Sequence, residues 1–211
     1  MNTLEKSGKL SFILYPLVII LVMWVVYWYA NKLHIDLYVN GLYPHKFSGL
    51  QGVLFAPMLH GSFEHLVNNT LPVFMLSAGL YYFYPQIAGK VMLGSWTLPY
   101  LAIWFFARPA YHIGASTLVY ALTAFLFFSG IWRQNRYLAS LSLLVVFVYG
   151  SLVWGIFPSQ EEISWEGHVA GGLVGIWLSW VFRKQGPPTT RYIWPEEAPL
   201  PDIEVIDYEE F

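Results

Sequence analysis

The stretch Gly167-His-Val-Ala-Gly-Gly-Leu-Val-Gly175 opens an apolar run that continues to about residue 182. Its glycines at positions 167, 171 and 175 are four residues apart, so they share one face of a helix and let a second helix approach closely. His168 lies at the edge of that face. A polar group within an apolar helix is costly unless it faces the protein interior. The stretch therefore predicts a close helix pair with a histidine at its interface.

The rest of the chain is also strongly apolar. Of its 211 residues, 56% are hydrophobic and 11% are charged, with a mean hydropathy of +0.49; soluble domains average about 25% charged residues. Six stretches approach the roughly 17 to 25 apolar residues that cross a bilayer. They cover about residues 10–30, 57–84, 87–107, 113–132, 137–157 and 165–182. The composition predicts an all-α integral membrane protein, a bundle of six transmembrane helices with both termini on one side.

The basic residues between these stretches predict the orientation. With the N-terminus inside, eight of them are cytoplasmic: Lys6, Lys9, Lys90, Arg133, Arg136, Arg183, Lys184 and Arg191. Three fall outside: Lys32, Lys46 and Arg108. Because short cytoplasmic connections carry the excess of basic residues, we expect both termini in the cytoplasm. With no obvious transit peptide, the expected location is a bacterial inner membrane.

The two ends of the chain differ from the helical part. Residues 1–9 are expected to form a short cytoplasmic segment, and the following apolar run lacks a small-residue cleavage site, so it is interpreted as a retained span. Residues 10–183 are expected to form the six-helix domain. Residues 184–211 are rich in proline and acidic residues and predict a flexible cytoplasmic tail. The absence of cysteine excludes disulfides and thiolate catalysis.

Polar residues recur where three predicted helices begin on the outer side. The second stretch carries five of them, His60, Glu64, His65, Asn68 and Asn69. Ser116 lies near the start of the fourth stretch and His168 near the start of the sixth. At about 1.5 Å per residue, both are expected roughly 5 to 8 Å below their helix starts. A shared depth predicts a common site.

The pairing of Ser116 with His168 predicts nucleophilic catalysis. A lone membrane serine more often bonds its own backbone, but a serine hydroxyl becomes a nucleophile when neutral imidazole accepts its proton. The amide of Ser116 at a helix N-terminus, with the side chains of His65 and Asn69, can stabilise a developing oxyanion. Tyr120 follows Ser116 by one helical turn. This interpretation is a dyad and requires no carboxylate.

Three motifs together resemble the rhomboid family of intramembrane serine proteases. They are Gly114-Ala-Ser-Thr117 in the fourth stretch, His65-Leu-Val-Asn-Asn69 in the second and Gly167-His-Val-Ala-Gly171 in the sixth. The resemblance covers about residues 10–183. It implies a rhomboid-type fold and a serine endopeptidase that cleaves transmembrane segments near the outer face of the membrane.

The resemblance also implies roles for individual residues. Ser116 is similar to the family's nucleophile, His168 to its general base, His65 and Asn69 to its oxyanion donors, Tyr120 to the aromatic support of the base, and Gly114 to the glycine of the nucleophile motif. The expected partners are transmembrane protein substrates and the lipid bilayer, with no nucleic acid, metal or cofactor. Two positions depart from the family pattern. Thr117 replaces a frequent glycine and is expected to narrow the site, and the first outer loop lacks a clear Trp-Arg pair.

Three alternatives remain. An inactive rhomboid-like protein would bind transmembrane helices without cleaving them. A metal site is suggested by His60 and His65, but residues five apart lie about 140° apart on a helix, whereas the HExxH pair is spaced by four. A transporter would use broken helices around a midplane site, for which Pro72 and Pro99 are the candidate breaks.

Overall fold

A computed structural model describes residues 3–134, 136–148, 154–158 and 163–186. Within them the α-helices are α1 Thr3–Leu33, α2 Gly52–Phe55, α3 Phe63–Phe83, α4 Ala88–Phe106, α5 Ser116–Trp132, α6 Arg136–Val148 and α7 Trp165–Val181. Three 3-10 turns lie between α1 and α3, at Tyr38–Asn40, Phe47–Gln51 and Ala56–Met58. No strand forms in the described residues, where an isolated bridge joins Leu42 to His112. The all-α prediction is confirmed.

Helices α5 and α7 form the most extensive helix pair in the described part of the chain. A Cβ atom added to Gly171 would collide with the carbonyl oxygen of Thr117, and one added to Gly175 would collide with that of Ala121. The two backbones therefore approach too closely for any side chain at these positions. The predicted glycine face is present, and its partner is α5.

Helix α3 begins later than the sequence predicts. Ser62 has an extended backbone, and its Oγ accepts a hydrogen bond from the backbone N–H of His65 at 3.1 Å, which caps the first turn. His60 therefore lies in the connection before α3 and not in the helix. The prediction was wrong there because apolar residues continue through the 3-10 turn at Ala56–Met58, so composition alone shows no boundary.

Helix α5 also begins later than predicted, at Ser116. Gly114 has a φ of +99°, a left-handed conformation that glycine adopts without strain and that ends the preceding loop. Ser116 is thus the first residue of its helix, and His168 lies in the first turn of α7. The expected depth of 5 to 8 Å below the helix start was wrong for Ser116. Pro72 and Pro99, the candidate breaks, lie inside continuous helices.

The outward faces of the bundle are apolar. Large hydrophobic side chains more than half exposed occur on several helices: Leu21 on α1, Leu93 and Phe105 on α4, Phe147 on α6 and Leu173 on α7. Within the described residues, the segment Phe12–Leu33 is the one helix both long and apolar enough to cross a bilayer by itself. The count of six spans therefore stays a prediction. The predicted acidic tail lies outside the described residues from position 187 onward.

Candidate active site

Ser116 and His168 contact each other across the α5–α7 interface. The distance from Ser116 Oγ to His168 Nε2 is 2.8 Å, and only 7% of His168 is exposed. His168 Nδ1 lies 2.7 Å from the carbonyl oxygen of Gly155. Because a carbonyl oxygen only accepts, Nδ1 must carry the proton of the neutral ring. Nε2 is then left with a lone pair directed at the serine hydroxyl, as proton abstraction requires.

Tyr120 supports the histidine ring from the side. The two rings stack with centroids 4.2 Å apart and planes 12° apart. Gly155 completes this environment, because a Cβ there would collide with the Tyr120 hydroxyl and lie 3.0 Å from His168 Nδ1. The ring of His168 is therefore held between an aromatic face and a backbone carbonyl. Sequence reasoning missed Gly155, since a backbone acceptor has no side-chain signature.

The turn before Ser116 is shaped around His65. A Cβ at Gly114 would lie 2.5 Å from His65 Cε1 and 2.6 Å from Nε2, so only glycine lets this ring lie beside the turn. Tyr100 donates a hydrogen bond to the Gly114 carbonyl at 2.6 Å, and the Gly114 N–H donates to the carbonyl of Ala56 at 2.9 Å. Both backbone groups of Gly114 are thereby fixed. Sequence reasoning did not identify Tyr100 or Ala56.

Asn69 lies one helical turn below His65, and 5% of it is exposed. Its Nδ2 donates to the backbone carbonyl of His65 at 3.0 Å. One amide hydrogen is therefore used within α3. Thr117 is buried with its Oγ1 toward Gly167, in the α5–α7 interface. Its side chain packs between the helices, and its effect on the width of the site stays a prediction.

The histidines of the metal alternative pack against each other. The rings of His60 and His65 meet edge to face with centroids 5.0 Å apart. In the parts of the chain that the structure describes, no group of three or more histidine, cysteine or acidic side chains is arranged to hold a metal ion.

The fold and the site define a class: an all-helical bundle with apolar outward faces, in which a serine and a histidine meet at the starts of two tightly packed helices. Residues 48–185 match the Rhomboid domain family. The chain belongs to the rhomboid family and is an integral membrane protein.

Similar proteins occur in mycobacteria. An uncharacterized protein of Mycobacterium tuberculosis is 36% identical over 152 residues, which cover 65% of this chain and 61% of that protein. An uncharacterized protein of Mycobacterium leprae is 32% identical over 148 residues, covering 65% and 58%. The chain thus matches about three fifths of the length of these relatives.

Proposed function

We propose that this protein is an intramembrane serine endopeptidase that cleaves transmembrane segments of other membrane proteins near the outer face of the membrane. The observation that carries the proposal is the 2.8 Å contact between Ser116 Oγ and His168 Nε2, with the opposite ring nitrogen committed to a carbonyl. This arrangement orients a neutral imidazole as a base toward a hydroxyl. Membership of the rhomboid family supports the same activity.

The first half of the reaction forms an acyl-enzyme. Ser116 Oγ attacks the carbonyl carbon of the scissile bond while His168 Nε2 takes the hydroxyl proton. The carbonyl oxygen becomes an oxyanion, for which the donors are the Ser116 N–H at the start of α5, the ring of His65 and the remaining amide hydrogen of Asn69. Collapse of this intermediate breaks the C–N bond. His168 then gives its proton to the leaving amine, and an ester remains on Ser116.

The second half releases the acyl group. His168 Nε2 takes a proton from water, and the hydroxide oxygen attacks the ester carbon through the same oxyanion stabilisation. The C–O bond to Ser116 breaks and the serine oxygen recovers a proton from the imidazolium. In both halves the Gly155 carbonyl accepts from Nδ1–H and offsets part of the positive charge on the ring. The dyad therefore uses a backbone dipole where other serine proteases use an aspartate.

The proposed setting is a bacterial cytoplasmic membrane with both termini inside and six spans. The excess of basic residues in the predicted cytoplasmic connections supports this orientation. The mycobacterial relatives support a bacterial membrane. The partners are then transmembrane protein substrates within the bilayer.

The direct test compares purified variants on a transmembrane test substrate in proteoliposomes. Ser116→Ala and His168→Ala should each reduce cleavage to background, a loss of at least about 10³-fold, because each removes one reacting group. Ser95→Ala is the matched control. Ser95 is also a buried helix serine, and its Oγ has no hydrogen-bond partner among the described residues, so cleavage should be unchanged. Undiminished cleavage by a folded Ser116→Ala protein would contradict the proposal.

A second measurement separates the alternatives. A fluorophosphonate probe should label the wild type and lose its signal in Ser116→Ala; persistent labelling would show a different nucleophile. EDTA should leave cleavage unchanged, and inhibition would favour the metal alternative. A wild type that binds transmembrane helices but neither labels nor cleaves would be the inactive rhomboid-like protein.

A further inference from the structure

The loop between α4 and α5 is attached to the first turn of α7 by four side chains that the proposed mechanism does not use. We call them the clasp: Arg108, His112, Ser164 and Glu166. His112 is at its centre, with 2% of the residue exposed. Its Nδ1 lies 2.6 Å from Ser164 Oγ and its Nε2 lies 3.3 Å from the carbonyl oxygen of Arg108. Because that carbonyl only accepts, Nε2 carries the proton and Nδ1 accepts from the Ser164 hydroxyl.

This His112–Ser164 hydrogen bond joins the same two segments of the chain as the Ser116–His168 contact. Both pairs join residues 52 positions apart, so the clasp pair lies four residues before the reacting pair on both chain segments. The carbonyl of Ser164 accepts from the backbone N–H of His168 at 3.2 Å, the first helical bond of α7 that reaches the base. A displacement of Ser164 is thereby transmitted directly to the backbone of His168.

Arg108 and Glu166 provide the second connection. Arg108 Nη2 donates to the carbonyl of Ile163 at 2.7 Å, and its Nε lies 3.7 Å from Glu166 Oε1. The backbone N–H of Arg108 also points to Glu166 Oε1, at 3.4 Å. The loop between α4 and α5 is therefore joined to Ile163 and Glu166, which lie on either side of Trp165, where α7 begins.

The opposite side of the loop is also anchored. His112 exchanges two backbone hydrogen bonds with Leu42, at 2.8 and 3.1 Å, and Gly114 donates to Ala56. The loop between α4 and α5 is thus held on one side by the connection from α1 to α3 and on the other side by α7. With the loop fixed on one side, the clasp determines where α7 begins relative to the nucleophile.

The clasp is a poor device for stability alone. Glu166 is 4% exposed, and its Oε2 has no hydrogen-bond partner among the described residues. Burying a carboxylate that makes an ion pair as long as 3.7 Å costs free energy that the pair does not fully return. A positioning role accounts for the presence of Glu166 two residues before His168, the proposed base.

We propose that the clasp positions His168 against Ser116, so that its four members are positioning residues for the peptidase reaction. The inference rests on the proposed function. Loss of the Ser164 hydroxyl or of the Glu166 charge lets the start of α7 move relative to the loop. Since a displacement of about 1 Å in a reacting pair can cost about 10²-fold in rate, the turnover number should fall while substrate binding is preserved.

The test measures kcat, KM and the rate of fluorophosphonate labelling for full-length Ser164→Ala and Glu166→Gln. Each should lower kcat and labelling by about 10-fold or more with KM within about twofold of the wild type. Ser164→Thr keeps the hydroxyl and should recover most of the rate. Glu64→Gln, at an exposed acidic residue in the first turn of α3, is the matched control and should behave as the wild type.

The outcomes separate the two proposals. A wild type that neither cleaves nor labels rejects the proposed function. An active wild type with unchanged kcat in Ser164→Ala and Glu166→Gln rejects the clasp. Rates that fall only in proportion to the folded fraction, measured by thermal unfolding in detergent, also reject it, because that result describes a structural role alone.

Discussion

At the scale of single residues, the site depends on how His168 is restrained. Three groups on two parts of the chain fix its ring: Ser116 at Nε2 and the Tyr120 ring on its face, both from α5, and the Gly155 carbonyl at Nδ1. Under the proposed function, a base restrained in this way requires little reorganisation to accept the serine proton, which lowers the entropic part of the barrier. The contribution of Tyr120 can be isolated because it makes no bond to a reacting atom in the mechanism.

We expect Tyr120→Phe to retain more activity than Tyr120→Leu. Phenylalanine preserves the aromatic face against His168, whereas leucine removes the stacking, which is worth about 0.5–1.5 kcal/mol. The expected loss of kcat for Tyr120→Leu is therefore about 3- to 10-fold relative to Tyr120→Phe. Steady-state cleavage at saturating substrate measures this difference. Equal rates for the two variants would show that the face of the ring does not position His168.

The side chains of the site could be predicted from the sequence, whereas their backbone partners could not. Ser116, His168 and Tyr120 are marked by residue type and spacing in otherwise apolar stretches. The Gly155 carbonyl carries no such mark, because every residue has a carbonyl and its direction depends on the tertiary fold. The sequence does not mark His112 for a related reason: it lies in a loop, where a histidine is ordinary, and only packing shows it to be buried.

At the scale of elements, the pair α5–α7 brings Ser116 and His168 together. The glycines of α7 admit the backbone of α5 at Thr117 and Ala121. The sequence predicts this contact because a four-residue repeat of glycine is specific. It does not predict the helix starts, which depend on the Ser62 cap and on the left-handed turn at Gly114, features that an apolar pattern does not contain.

Gly171→Ala and Gly172→Ala make a matched pair for testing this contact. The added methyl group at Gly171 would collide with the Thr117 carbonyl, while at Gly172 it would meet no atom within 4 Å. Forcing the helices apart should lower the free energy of unfolding by about 1–3 kcal/mol for Gly171→Ala and reduce cleavage. Gly172→Ala should be neutral or gain up to about 1 kcal/mol in helix propensity. Thermal unfolding in detergent measures both, and similar losses would contradict close packing at Gly171.

At the scale of the whole molecule, polar groups that are buried or partly buried also lie outside the helices. His60 and His112 lie in connections before α3 and α5, and burial lowers the pKa of both below the usual 6.5. For His60 the pKa falls to about 3, first through burial and then through the neighbouring His65. His60 Nδ1 is 3.3 Å from the carbonyl oxygen of Met58, and Nε2 has no partner among the described residues. A second proton on the His60 ring would sit on Nε2, where no hydrogen-bond acceptor is present among the described residues.

The folded protein should therefore lose stability in mild acid. Below about pH 6.5 the unfolded chain binds protons at these histidines while the folded chain does not, so the free energy of unfolding falls as the pH decreases. The contribution of the neutral His60 ring to the free energy of unfolding is fully present above pH 6.5. It is lost as the pH falls from 6.5 to about 3, by at most about 1.4 kcal/mol per pH unit. Melting temperatures in detergent should be constant from about pH 7 to 8 and fall toward pH 5. His60→Gln should flatten this dependence, whereas His34→Gln, at an exposed position, should not. An unchanged slope in His60→Gln would show that the ring is protonated without cost in the folded bundle.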